Sequence, residues 1–227
     1  MTTPKNGHAK VIGLNAVARA MIRRNSAPEA QSISTEDELA AARQIAEVAK
    51  REGVDYALAG GIAMHLYGFT RATTDVDLIA SATLDLKATR DLSFGGESYP
   101  VKVGTRVINV DWIVRDDDVA DFYESALANA APSEAGLPII TPEWLVILKK
   151  LADCGKDHLD LLWLLRRDGL VDREKVAELA REYFGRLAFV MLNSLAALYL
   201  EADIMRHKDE RDEGEPSTAK KSRAKKR

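Results

Sequence analysis

A chain of 227 residues is long enough for one compact domain, or for two small ones sharing a cleft. With 46% apolar and 30% charged residues it has a globular composition, and its net charge of −3 excludes a global attraction to nucleic acid. The single cysteine, Cys154, excludes an internal disulfide and any CxxC zinc pair, which suits a reducing cytosol.

The first 28 residues carry Lys5, Lys10, Arg19, Arg23 and Arg24 and no acid. Val11, Leu14, Val17, Ala18, Met21 and Ile22 fall on one helical face. Residues 1–33 therefore read as an N-terminal arm packing on the body, with a transit peptide as the other reading. Thr35 and Glu38 predict a capping box, and a helix from there to about Arg51 is stopped by Gly53. Val54–Ala59 is a short apolar strand. Gly60-Gly61 turns the chain, Ile62–Tyr67 makes one or two helical turns, and Val76–Ala80 is a second strand.

Tyr99–Val103 and Thr105–Val114 predict a strand pair joined around Gly104, with Pro100 limiting the first to an edge or a late start. In the second, Val107, Asn109 and Asp111 face one way and Ile108, Val110 and Trp112 the other. Asp118 is placed to cap a helix from Val119 to about Asn129. Residues 131–136 read as a linker. Beyond it the pattern is helical, at 142–152, 156–167, 172–184 and 186–206, with Pro142 at the first helical position after Thr141. No apolar run reaches the roughly 18–20 residues that cross a bilayer, so no membrane partner is expected. From Lys208 the chain is polar, and 207–227 is expected to be a disordered basic tail. The organisation is thus an α/β unit at 34–130 and a helical unit at 138–206.

Asp75 and Asp77 stand at i and i+2 on a strand and so project from one face. Paired carboxylates repel, and a divalent cation between them removes the repulsion; oxygen-only ligands select Mg²⁺ or Mn²⁺. The alternative is a solvated Asp-x-Asp on an edge strand. Gly60 and Gly61, after a strand and before a helix, let the backbone approach a phosphate. Asp111, a charge inside the apolar run 110–114, is the candidate third carboxylate of a two-metal site, or else a strand acid paired with a basic residue. Asp116, Asp117 and Asp118 fit a helix cap better than a ligand set.

A triphosphate also needs cations. If Gly155 does not break the helix, Lys149, Asp153, Lys156 and Asp160 share a face, which either offers Lys149 and Lys156 to phosphates or forms solvated salt bridges. Arg71, in the loop before Asp75, is a further candidate. His65 reads as a packing residue rather than a base. The terminal cluster Lys220-Lys221-Ser222-Arg223-Ala224-Lys225-Lys226-Arg227 could hold RNA through its phosphates or simply solubilise the chain.

Ala59-Gly60-Gly61, with Asp75-Val76-Asp77 beginning fourteen residues after the second glycine, resembles the nucleotide-binding signature of the polymerase-β-like nucleotidyltransferase superfamily. The fuller string from Leu58 to Gly68, followed by Arg71-Ala72-Thr73-Thr74-Asp75-Val76-Asp77-Leu78, is similar to the minimal nucleotidyltransferases grouped with AbiEii-type toxins of toxin–antitoxin systems. Leu148-Lys149-Lys150-Leu151 and Lys156-Asp157-His158-Leu159-Asp160 also resemble a motif of that group. The resemblance spans about 54–167. It implies an α+β fold: a small mixed sheet with flanking helices, then a C-terminal helical domain closing the cleft.

It also implies Mg²⁺- or Mn²⁺-dependent transfer of a nucleotidyl group from a nucleoside triphosphate to a hydroxyl; the cytoplasmic expectation rests on the single cysteine. Asp75 and Asp77 would bind the metals, with Asp111 as third carboxylate and base. Gly60 and Gly61 would cradle the phosphates and Lys149 would contact them, while Asp157 or Asp160 would belong to the second-domain motif. The acceptor would be RNA, such as a tRNA end, or a protein, and an antitoxin would be the partner. The other readings are a non-catalytic nucleotide- or RNA-binding protein of the same fold, and an enzyme modifying a small molecule such as an antibiotic. One departure is plain. Many superfamily members have serine where Gly61 stands, so that hydroxyl is missing from position 61.

Overall fold

The computed structural model describes residues 32–214 apart from Thr70 and Cys154. The arm to residue 31 and the basic cluster at 220–227 lie outside the described residues.

Helix α1 (Thr35–Glu52) begins at Thr35 itself, so its cap lies one residue before the predicted one. Ser34 is the N-cap, its hydroxyl accepting from the Asp37 amide at 3.1 Å. The Thr35–Glu38 capping box does not form, and Glu38 is instead buried. Gly53 ends the helix in the left-handed region at φ 67°, as an αL cap requires.

Strand β1 (Tyr56–Leu58) leads directly into helix α2 (Gly60–Leu66), and the chain returns in β2 (Asp75–Ala80). Then come β3 (Arg90–Asp91), β4 (Glu97–Val103), β5 (Arg106–Ile113), helix α3 (Ala120–Ala128), β6 (Ala131–Pro132) and β7 (Pro138–Ile139). The seven strands form one mixed sheet in the order β3-β4-β5-β2-β1-β7-β6. The central pair β2–β5 is parallel, flanked by antiparallel β1–β2 and β4–β5. Pro100 is tolerated because β3 pairs only with Glu97 and Ser98, leaving that part of β4 at an edge.

The stretch read as a linker is part of the sheet. Leu58 pairs with Ile139 in parallel, and β6 folds back on β7. The two strands are two residues each, too short for a periodic signal. Asp118 is not a helix cap either. Val119 is the N-cap of α3 without a side-chain bond, and Asp117 accepts from the Val119 amide at 3.4 Å.

One face of the sheet is sealed by α1 and α2, through fully buried Ala41, Ala42, Ile45, Ala49, Ile62 and Met64 against Leu58, Val76, Leu78 and Val110. The helical region comprises α4 (Pro142–Ala152), α5 (Gly155–Arg166), α6 (Arg173–Phe184) and α7 (Arg186–Gly214). Phe122 of α3 joins the two regions: its ring lies 5.0 Å from Trp144, 5.5 Å from Tyr183 and 5.2 Å from Phe184. The last helix runs past the expected end at 206 to Gly214, so the start of the expected tail is helical. Its Arg186–Lys208 stretch is long and apolar enough to cross a membrane, although polar residues interrupt the run in sequence. Here Ala188, Met191, Leu195, Leu198 and Ala202 are buried, and Asp203 pairs with Arg173 at 2.6 Å.

Candidate active site

The pairing register decides which carboxylates meet. Asp77 on β2 is the direct partner of Asp111 on β5, and Asp75 is the partner of Asn109. Directly opposed residues share a face. Asp75, Asp77 and Asp111 therefore stand on one side of the two central strands, while Val76, Leu78, Val110 and Trp112 are buried on the other. The alternation read from the sequence holds through both strands.

The Gly-Gly turn abuts this face. The Gly61 amide donates to Asp77 Oδ2 at 3.4 Å. Gly60 has φ 54°, and a Cβ built there would stand 1.9 Å from Asp77 Oδ2. The first glycine thus serves both the left-handed turn and the close approach to the carboxylate. Gly60→Ala is expected to cost at least about 1–2 kcal/mol for the left-handed residue alone, and to push Asp77 aside. Urea unfolding of the variant checks the first effect.

Gly61 bears differently on the missing serine. A Cβ there would lie 2.9 Å from Thr73 Oγ1, so the Thr73 hydroxyl fills the space a side chain at 61 would enter. Thr73 is buried and donates to the Asp75 carbonyl at 3.1 Å, with Asp75 Oδ1 at 3.4 Å. A hydroxyl absent from position 61 is present in this place from position 73.

Asp111 is 2% exposed and already partnered. Arg90 Nη2 donates to both its oxygens, at 3.1 and 3.0 Å, and Ser98 donates to Oδ1 at 2.6 Å. Among the described residues no three acidic, histidine or cysteine side chains converge as a metal-binding set. The donors on the shared face are nonetheless all hard oxygens on adjacent strands, the set that suits Mg²⁺ or Mn²⁺. A third carboxylate could join Asp75 and Asp77 by exchanging its Arg90 contact for the ion.

Beside the turn lies a chain of buried ion pairs. Arg71 donates through Nε and Nη2 to the two oxygens of Asp160, at 2.7 and 2.9 Å. Lys149 sits between Asp160, at 2.6 Å, and Asp157, at 3.0 Å. Asp160 is completely buried, and Lys149 and Asp157 nearly so. Burial works against the charge on Lys149, but Asp157 and Asp160 outweigh it and hold its pKa above the ordinary lysine value. Arg71 behaves likewise: burial opposes its charge, while Asp160 and more distantly Asp77 and Asp157 raise its pKa. Of the cations named from sequence, Arg71 is the one beside the glycine turn, its Nη2 3.6 Å from where a Gly61 Cβ would stand.

The expected shared face of Lys149, Asp153, Lys156 and Asp160 does not exist. The helix breaks at Asp153, which takes the left-handed conformation at φ 41°, and Gly155 begins the next helix. The break turns Asp157 and Asp160 back onto Lys149 and leaves Lys156 exposed. Lys149 is therefore a buried cation between two acids. Asp116 and Asp118 are exposed, while Asp117 pairs with Arg115, whose guanidinium lies over the Tyr123 ring. His65 is more than packing: it pairs with Glu38 at 2.5 Å.

Arg90, Ser98, Thr73 and Glu38 escape a reading of the sequence. Thr73 carried a signal, being two positions before Asp75 as Asp75 is before Asp77. Arg90 carried none, lying on a two-residue exposed strand inside an aperiodic stretch.

No protein-family profile matches the chain, and no curated protein matches it. Among solved structures it is similar to an antigenic nucleotidyltransferase-like protein from Paracoccidioides brasiliensis, with 14% identity, TM-score 0.38, and coverage of 65% of this chain and 75% of that one. It is also similar to the antibiotic-resistance factor ANT(2'')-Ia, with 14% identity, TM-score 0.33, and coverage of 77% of this chain and 100% of that one.

Proposed function

We propose that the protein transfers a nucleotidyl group from a nucleoside triphosphate to a hydroxyl acceptor. The observation that carries this reading is the register pairing of Asp77 with Asp111, with Asp75 on the same face and the Gly60-Gly61 turn against Asp77. An ion held by Asp75, Asp77 and Asp111 would supply charge neutralisation for the triphosphate and acidify the attacking hydroxyl. The glycine turn leaves room for the phosphates, and Arg71 lends positive charge at its side. In the transfer, the acceptor oxygen bonds to the α-phosphorus. The bond from that phosphorus to the β-phosphate bridging oxygen breaks, and pyrophosphate leaves with the electron pair. Asp111 takes the hydroxyl proton.

The resemblance to the AbiEii-type group and the basic cluster at 220–227 favour a macromolecular acceptor, RNA or protein, and a toxin role with an antitoxin partner. A second reading, nucleotide binding without transfer, draws on the contacts of Arg90 and Ser98 with Asp111.

The test incubates the full chain with Mg²⁺, each labelled nucleoside triphosphate in turn, and cellular RNA and protein, beside Asp77→Asn. Label in RNA or protein that depends on Asp77 supports transfer and names nucleotide and acceptor class. Nucleotide binding without label in any macromolecule supports the second reading.

A further inference from the structure

His65 is on α2, and its side chain is 3% exposed. Its two ring nitrogens each face an acceptor oxygen. Nδ1 lies 2.5 Å from Glu38 Oε2, and Nε2 lies 2.7 Å from the carbonyl of Arg71. A neutral imidazole has one N–H and would set a lone pair against one of these oxygens. Only the imidazolium donates to both. Thr35 Oγ1 is 3.4 Å from Nδ1, and the Arg71 amide donates toward Nε2 at 3.3 Å, a longer contact than the 2.7 Å approach of the carbonyl oxygen, which asks for an N–H there. The hydrogen bond with Glu38 raises the pKa of His65 above 6.5, against burial and against the charge of Arg71.

Glu38 is completely buried, and its Oε1 has no partner among the described residues. Its charge is thus answered by His65. From there the contacts run unbroken: Glu38, His65, the Arg71 backbone, the Arg71 guanidinium, Asp160, Lys149 and Asp157. Within this chain of contacts Arg71 and Lys149 pair with Asp160, Lys149 pairs also with Asp157, and Glu38 pairs with His65.

We propose that His65, held by Glu38, is a positioning residue for Arg71: its imidazolium fixes the Arg71 carbonyl and so aims the guanidinium at Asp160 and at the glycine turn. The loop it governs also supplies Thr73, whose carbonyl accepts from Ile33 at 2.9 Å, and it leads into Asp75. Loss of one proton leaves a single N–H, which serves either the Arg71 carbonyl or Glu38 but not both, so one of the two oxygens then faces a lone pair. The sign follows. A folded-state pKa above 6.5 gives stabilisation that is complete below 6.5 and lost as pH rises through the folded value. Order at Arg71 should fade over the same window. The consequence for phosphate rests on the function proposed above, whereas the positioning rests on the contacts alone.

The experiment follows the Arg71 Nε–H signal by NMR in the full chain, with Arg71→Lys to assign it, as His65 is titrated. The Arg71 signal is expected to move with the His65 midpoint, above pH 6.5. In His65→Leu, Arg71 Nε–H exchange with solvent is expected to quicken about tenfold or more. His65→Gln, which keeps an N–H for the carbonyl, should restore the signal without its pH dependence. An Arg71 signal indifferent to His65 ionisation, or a His65 midpoint at or below 6.5, overturns the proposal. If His65→Leu does not fold, the wild-type titration and His65→Gln still decide. Binding of magnesium tripolyphosphate, expected to weaken about tenfold in His65→Leu, is read separately by calorimetry. Failure of the wild type to bind it counts against the proposed transfer function, while the Arg71 signal still judges the positioning.

Discussion

Asp160→Ala is expected to destabilise the protein by about 3–5 kcal/mol, the usual cost of breaking a buried ion pair by removing one partner. Asp160 is buried on α5 and accepts two bonds from Arg71 and one from Lys149. Without it Arg71, whose side chain is 18% exposed, loses both its carboxylate contacts. Lys149 keeps Asp157 as its remaining carboxylate, at a site where its side chain is 6% exposed. Asp160→Asn should cost less, because its amide oxygen still accepts one bond. The double variant Lys149→Met with Asp160→Leu should recover little of the loss, since it also takes Lys149 from buried Asp157 and Asp160 from Arg71. Urea unfolding of the four proteins measures this. A loss under about 1 kcal/mol for Asp160→Ala would mean that water or another donor replaces the pair, as at exposed salt bridges. Asp160 also joins the loop before β2 to the helical region, so the same variant should loosen Arg71 as His65→Leu does.

How much of this arrangement was legible in sequence depends on whether a residue acts through its neighbours in the chain or across the fold. Asp75, Asp77 and the glycines are local: strand alternation and the left-handed turn follow from short-range sterics. Asp111 was legible as a charge in an apolar strand, and the parallel register that sets it beside Asp77 was not, because it depends on how β5 enters the sheet. Lys149 was found, but its partners were misplaced. Helical spacing cannot foresee that Asp153 breaks the helix in a left-handed residue, and that break reverses which residues meet Lys149. Glu38 illustrates the same limit. Its spacing from Thr35 fits a capping box, yet the cap falls on Ser34 and Glu38 turns inward to a histidine 27 residues away. The strands of two residues, β3, β6 and β7, exist only because longer strands offer them an edge.

Asp77→Asn is expected to lower nucleotidyl transfer by at least about 10³-fold, roughly 4 kcal/mol of transition-state stabilisation, while leaving the fold intact. The substitution keeps size and shape, so the contact with the Gly61 amide can persist through the amide oxygen. What it removes is the charge on the acid standing between Asp75 and Asp111. Binding of Mn²⁺, read by its paramagnetic signal without any turnover, should fall in parallel. Asp111→Asn separates two roles for the third carboxylate. If Asp111 binds the ion and takes the proton, its loss should match that of Asp77→Asn. If it serves only to anchor Arg90 and Ser98, transfer should stay within about tenfold of wild type while stability falls by about 1–3 kcal/mol, the cost of weakening its charged hydrogen bonds. Arg90→Gln gives the complementary result. Arg90 is half exposed and neutralises Asp111, so its removal should strengthen Mn²⁺ binding if the ion competes for the same oxygens. Unchanged Mn²⁺ binding in Arg90→Gln, together with full transfer in Asp111→Asn, would leave Asp75 and Asp77 as the whole of the metal-binding pair.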